Sequence, residues 1–144
     1  MIVPDANLLL YAHDSDCTFF EPARDWWITC LNGTEPVGLC HVVVFAFLRI
    51  STNPRVYANP LSLDSARKHV LAWFARRVTR TLLADEKHHI AVLDLLRAAG
   101  SAGGNLVSDA QIAAIALEHR GEVHTADHDF RRFAGLNCRF PLQR

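Results

Sequence analysis

Apolar and polar positions alternate along this chain in two rhythms, and they trade places repeatedly. Ile2-Val3 begins a short strand that Pro4 ends by withdrawing a backbone donor. A helix-like stretch follows over 7–12, and 20–31 reads as a second helix, with Pro22 in its first turn and Asn32-Gly33 as its stop. Val37–Cys40 has strand character, and 42–50 is apolar on every side until Arg49. Ser62 or Asp64 can cap a helix running to about Arg76, with Ala66, Val70, Trp73 and Phe74 on one face. Val78–Leu83 is the next strand. An amphipathic helix over 86–99 stops before Gly100, and Ser108 is the expected cap of a helix over 109–119. A strand over 122–125, a helical turn over 129–133 and a last strand over 138–140 complete the pattern.

Strands that alternate with apolar helices call for a mainly parallel sheet flanked by helices on both faces, so the expected class is α/β. No linker or internal repeat interrupts the chain, and its 144 residues suit a single domain spanning 1–144. The longest unbroken apolar run, Val42–Leu48, is far short of the roughly 20 residues of a spanning helix. With no basic, then apolar, leader after Met1, the expected setting is cytoplasmic, without membrane.

Charge changes the picture only locally. The 15 basic residues balance 15 acidic ones, which excludes a bulk polycation. Thirteen of the bases are Arg, the better residue for forked phosphate contacts, and only Lys68 and Lys87 are Lys. The arginines bunch at Arg76, Arg77 and Arg80, and again at Arg131, Arg132, Arg139 and Arg144, so a basic rim beside an acidic site is expected. Cys17, Cys30, Cys40 and Cys138 have no zinc spacing, and neither His88–His89 nor His124/His128 has a third ligand at motif distance. The adjacent Trp26 and Trp27 fit a broad core-facing stripe; otherwise one indole joins Phe19 and Phe20 in a partner patch.

The acids carry the candidate chemistry. Asp5 ends the first strand, Asp127 and Asp129 follow the strand over 122–125, and Asp109 lies in a helix's first turn. Ligands of open α/β sheets bind at the carboxyl ends of strands, where such acids can converge. Converging carboxylates repel unless a cation neutralises them, and Mg²⁺ or Mn²⁺ does so with oxygen ligands while keeping waters free. Such an ion can acidify a water that attacks a phosphodiester. Each acid taken singly also has a plain structural role: a helix-dipole partner for Asp109, Asx-turns for Asp127 and Asp129.

Val3-Pro4-Asp5-Ala6-Asn7-Leu8-Leu9-Leu10-Tyr11-Ala12 resembles the opening of PIN-domain proteins. Asn105-Leu106-Val107-Ser108-Asp109-Ala110 and Thr125-Ala126-Asp127-His128-Asp129-Phe130 match later motifs of the same family. Phe47-Leu48-Arg49-Ile50-Ser51-Thr52-Asn53-Pro54-Arg55-Val56 resembles a segment of its VapC-type toxins. The resemblance implies a PIN-like fold and a Mg²⁺- or Mn²⁺-dependent endoribonuclease, the toxin of a type II toxin–antitoxin pair. It also implies an RNA substrate, a VapB-type antitoxin that docks on toxin helices, and a homodimer. By the same resemblance Asp5, Asp109 and Asp127 bind metal, Asp129 is a further ligand or orients water, and Asn7 and Ser108 support the site. One departure stands out. Ala46 occupies the place of a Glu common in the family's middle helix, and no acid lies between Glu35 and Asp64. A catalytically weak module that binds RNA or antitoxin is therefore the alternative. An aspartyl-phosphate phosphohydrolase, suggested by Asp5-Ala-Asn7 after a first strand, lacks both its second acid and a lysine at the strand ends.

Overall fold

A computed structural model of the protein describes residues 1–142; Arg144, counted above among the clustered arginines, lies outside them. Five strands, β1 (Ile2–Pro4), β2 (Val37–Cys40), β3 (Thr79–Leu82), β4 (Glu122–His124) and β5 (Asn137–Arg139), form one sheet in the order β3-β2-β1-β4-β5. Every neighbouring pair is parallel. Six helices flank it: α1 (Ala6–Ala12), α2 (Phe20–Asn32), α3 (His41–Ser51), α4 (Leu63–Phe74), α5 (His88–Ala98) and α6 (Leu106–Glu118). All residues of β1 and β2 are buried, and successive strand side chains point to opposite faces, so both faces of the sheet are covered.

The strand order reverses at β1: the chain builds outward through β2 and β3, then returns to place β4 on the other side. That junction is where an open α/β sheet leaves a crevice at its strand ends. Pro4 helps shape it. With no N–H to give, it ends β1, whose pairing with β2 is confined to Ile2↔Val37 while that with β4 runs on to Pro4↔His124.

Aromatic residues fill the core beside the sheet. Trp73 meets Phe47 at 4.7 Å and Trp27 at 5.7 Å between ring centres. Trp27 is buried, while Trp26 is half-buried with its indole N–H donating to His124 Nδ1 at 3.1 Å, so the core-facing reading of the pair holds. Helix α4 takes Ser62 as its cap, the hydroxyl accepting from Ser65 N at 3.0 Å. The expected cap at Ser108 is corrected. Helix α6 opens at Leu106 with Asn105 at the cap position, because Leu106 is buried and its apolar contact starts the helix earlier. No described helix is long and apolar enough to cross a membrane.

Candidate active site

Register alone brings the first two site residues together. One step beyond the Pro4↔His124 pair, Asp5 and Thr125 stand level at the carboxyl ends of β1 and β4. Thr125 Oγ1 donates to Asp5 Oδ2 at 2.7 Å, and Asp5 N donates to His124 O at 2.9 Å. Asp5 is also the N-cap of α1, its Oδ1 accepting from Ala6 N at 2.7 Å. Only 7% of Asp5 is exposed. Burial, partly opposed by the bonds from Thr125 and Ala6 and reinforced by the charge of Asp127, lifts its pKa to about 6.

Asp127 follows β4 and is fixed by its own loop. Its N–H donates to Thr125 Oγ1 at 2.9 Å, and its Oδ1 accepts from Asp129 N at 2.9 Å, closing the Asx-turn expected of such a loop. Asp109 arrives from the first turn of α6. A crossover helix runs back against the strands, so its N-terminus opens at their carboxyl ends. The Asp109 pKa rises to about 7. Burial is the largest cause, followed by the charges of Asp5, Asp127 and Asp129 and a carboxyl–carboxyl hydrogen bond to Asp127. The positive end of α6 opposes this rise and is outweighed.

The structure therefore brings Asp5, Asp109 and Asp127 close enough for their charges to act on one another, with Asp129 exposed and acting on Asp109 through its charge. Asn7 also belongs to the site. Its Nδ2 donates to Thr125 Oγ1 and its Oδ1 accepts from Ala126 N, both at 3.4 Å. Ser108 is exposed and makes no hydrogen bond to these acids among the described residues. The residue that sequence reasoning passed over is Thr125. Fully buried, it ties Asp5, Asn7 and Asp127 through a single hydroxyl. Its signal was its position two residues before Asp127, the spacing of an ST-turn.

The donors suit a hard divalent cation. All are carboxylate oxygens, and burial, reinforced by neighbouring carboxylates, holds the protons of two of the acids toward neutral pH. Among the described residues no three His, Cys, Asp or Glu side chains close into a ready metal cage. Ala46 is half-buried on α3 and packs against the core. The other metal-type residues stay apart: His124 bonds Trp26 and Glu122, and His128 stacks on Phe140 at 4.4 Å. Cys30 and Cys40 are buried, with thiols pushed up to about 11 by desolvation.

The two arginine groups end up on opposite edges of the sheet, which corrects the expectation of one basic rim. Arg76 and Arg77 precede β3 and Arg80 lies near its start, so they flank the strands' amino ends; Arg76 donates to Leu31 O and Asn32. Arg131 and Arg132 sit in the short 3-10 turn after Asp127, on the acidic edge. Arg139 at the end of β5 is paired with Glu122 at 2.9 Å.

Comparison with known proteins agrees with this architecture. Residues 2–136 match the family model described as PIN domain. The chain is 39% identical over 143 residues to Ribonuclease VapC33 of Mycobacterium tuberculosis, covering 99% of each chain. It is 34% identical over 136 residues to Ribonuclease VapC37 of the same organism, covering 94% of each. Among solved structures, VapC20 of Mycobacterium tuberculosis, described as a sarcin-ricin loop cleaving toxin, superposes with a TM-score of 0.68 at 16% identity. The match covers 94% of this chain and 96% of that one. VapBC-1 of nontypeable Haemophilus influenzae superposes at 0.69 with 16% identity, covering 99% and 100%.

Proposed function

The chain belongs to the PIN domain family, and from that premise we propose that it is the endoribonuclease toxin of a VapBC-type toxin–antitoxin pair, all 144 residues forming one PIN-like domain. The observation that carries the reading is the carboxylate cluster at the β1/β4 junction, where the charges of Asp5 and Asp127 act on half-buried Asp109 beside buried Asp5. A buried cluster of mutually repelling carboxylates at strand ends marks a functional site, and a bound cation would relieve the repulsion.

Asp5, Asp109 and Asp127 would hold Mg²⁺ or Mn²⁺, and Asp129 would orient what enters from solvent. When bound, the ion supplies positive charge toward a phosphodiester and acidifies water. The chain's own residues do the rest. Thr125 ties the Asp5 carboxylate to the Asp127 backbone N–H through one hydroxyl, and Asn7 braces the Ala126 N–H. Burial of Asp5 keeps the cluster's field undiluted by solvent. Arg131 and Arg132, exposed on the same edge, would meet RNA phosphates.

The partners would be RNA, a cognate VapB-type antitoxin and a second copy of the chain, in the cytoplasm. Exposed Phe45, Ile90 and Leu93 are apolar surface that such pairing would cover. A specific observation keeps a second reading in play: helix α3 carries no acid, with Ala46 at the place of the family's Glu. That reading is a module that binds RNA or antitoxin with little turnover.

The deciding experiment is cleavage of total cellular RNA by antitoxin-free protein in EDTA, Mg²⁺ or Mn²⁺, beside Asp5→Asn. Discrete metal-dependent fragments that vanish in the variant are expected. A folded, ion-binding protein that cuts nothing in either metal would replace this reading with the binding module.

A further inference from the structure

Helix α1 leads from the acids to an aromatic surface that the catalytic reading leaves unused. Asn7, which braces the site, and Tyr11 lie four residues apart and share one face of α1, both half-buried. Tyr11 stands about 9 Å along the helix from Asp5, at the helical rise per residue. Against it, at 5.4 Å between centres and 32° between planes, lies Phe19, a residue 48% exposed although its side chain carries no polar group.

Phe19 is held in place. The loop between α1 and α2 is closed by Asp14 N to Tyr11 O, Cys17 N to Asp14 O and Phe20 N to Cys17 O, while Asp14 Oδ1 accepts from Asp16 N. The Cys17 Sγ accepts from Phe19 N at 3.4 Å. Tyr57, half-buried in the loop after α3, lines a small recess with Leu10 and Asp14. The same neighbourhood shows in the phenols: burial first, then Cys17, Asp5 and Asp127, raises the Tyr11 pKa, and burial, then Asp14, Cys17 and Tyr11, raises that of Tyr57. Both therefore stay neutral at physiological pH. An ordered, uncharged aromatic ledge next to an acidic phosphodiester site has the properties of a nucleobase platform, since stacking is sequence-tolerant and costs little when the rings are already fixed.

We propose that Tyr11 and Phe19, with Tyr57 at their margin, form a stacking subsite for an unpaired nucleobase flanking the phosphodiester that the acids face. The subsite rests on the nuclease reading and deepens it. It selects RNA whose bases are splayed out, in loops or single strands, because a base held in a duplex cannot leave its stack to reach the ledge.

The test uses the full chain carrying Asp109→Asn, so that the probe survives. The probe is a single-stranded RNA of about ten nucleotides, within the usual footprint of such sites, carrying 2-aminopurine, whose fluorescence is quenched by stacking. Binding with quenching is expected. Added Phe19→Leu or Tyr11→Leu should weaken binding by about fivefold or more and abolish the quench, in line with the measured worth of base–aromatic stacking. Phe19→Trp and Tyr11→Phe keep a ring and should keep both signals. The slope of affinity against salt should stay unchanged in the leucine variants, because no phosphate contact is lost. Circular dichroism melts confirm that each variant is folded.

Leucine variants that bind and quench like the parent overturn the subsite, and RNA cleavage by the unmodified chain then shows that the nuclease reading survives alone. If the unmodified chain neither binds nor cleaves RNA, that reading falls and takes the subsite with it. Leucine variants indifferent to RNA but weakly held by the antitoxin also overturn it, giving the ledge to the protein partner instead.

Discussion

At the scale of single residues, the site is a balance between burial and charge. Asp109 keeps its proton to about pH 7, and Asp5 to about pH 6, because solvent is withdrawn and neighbouring carboxylates repel. A folded-state pKa above the unfolded value favours folding below the unfolded pKa and loses that contribution as pH rises through the folded one. Without metal, wild type should therefore lose stability relative to Asp109→Asn between about pH 4 and pH 8. Discounted for partial exposure, the difference at pH 8 is on the order of 1 kcal/mol, about 3 °C in Tm. Paired thermal melts across that range check the sign; an advantage of the variant over wild type no larger at pH 8 than at pH 4 would show that the site does not disfavour the charged Asp109. The same variant should abolish RNA cleavage while remaining folded. Cation binding must expel these protons, so Mn²⁺ affinity should climb through pH 6–7 and level off above it, as calorimetry at several pH values would reveal.

At the scale of elements, short parallel strands tolerate little adjustment. A Cβ added to Gly121, just before β4, would stand 2.6 Å from Cγ2 of Val3, a fully buried residue in β1. Valine is stiff at χ1 and cannot swing aside, so Gly121→Ala should cost about 1–3 kcal/mol in denaturant unfolding. An unchanged midpoint would mean that β1 and β4 can slide apart freely. Helix α3 poses the opposite question. Ala46→Glu should tighten Mn²⁺ binding if that side of α3 faces the crevice, whereas unaltered affinity in a folded variant would remove α3 from the site. Most elements were legible because hydrophobic period and caps agree, as at Ser62 and α4. Where they disagreed, as at Ser108, the polar residue was the more visible signal, but burial of Leu106 decided where the helix begins.

At the scale of the whole molecule, topology divides the basic residues. Charge-removing substitutions of Arg131 and Arg132 should weaken RNA binding and flatten its salt dependence, since they share the acidic edge. The same changes at Arg76 and Arg77 should leave the salt slope alone, because they sit at the strands' amino ends. Binding measured at several ionic strengths separates the two groups, and equal slopes for both sets would show that RNA wraps the molecule rather than its acidic edge.

The sequence by itself determined the α/β class, the run of elements, and which acids stand at strand ends or in a helix's first turn. Those are consequences of local periodicity and of the chain's order. It also displayed the motifs that mark the family, and with them Asp5, Asp109 and Asp127 as candidates. Only the tertiary structure decided that β4 returns beside β1, setting Thr125 level with Asp5 and joining acids more than a hundred residues apart. The same return sent two arginine clusters, alike in composition, to opposite edges. Strand order is settled by which faces bury best against one another, a property of the assembled core that no window of sequence contains.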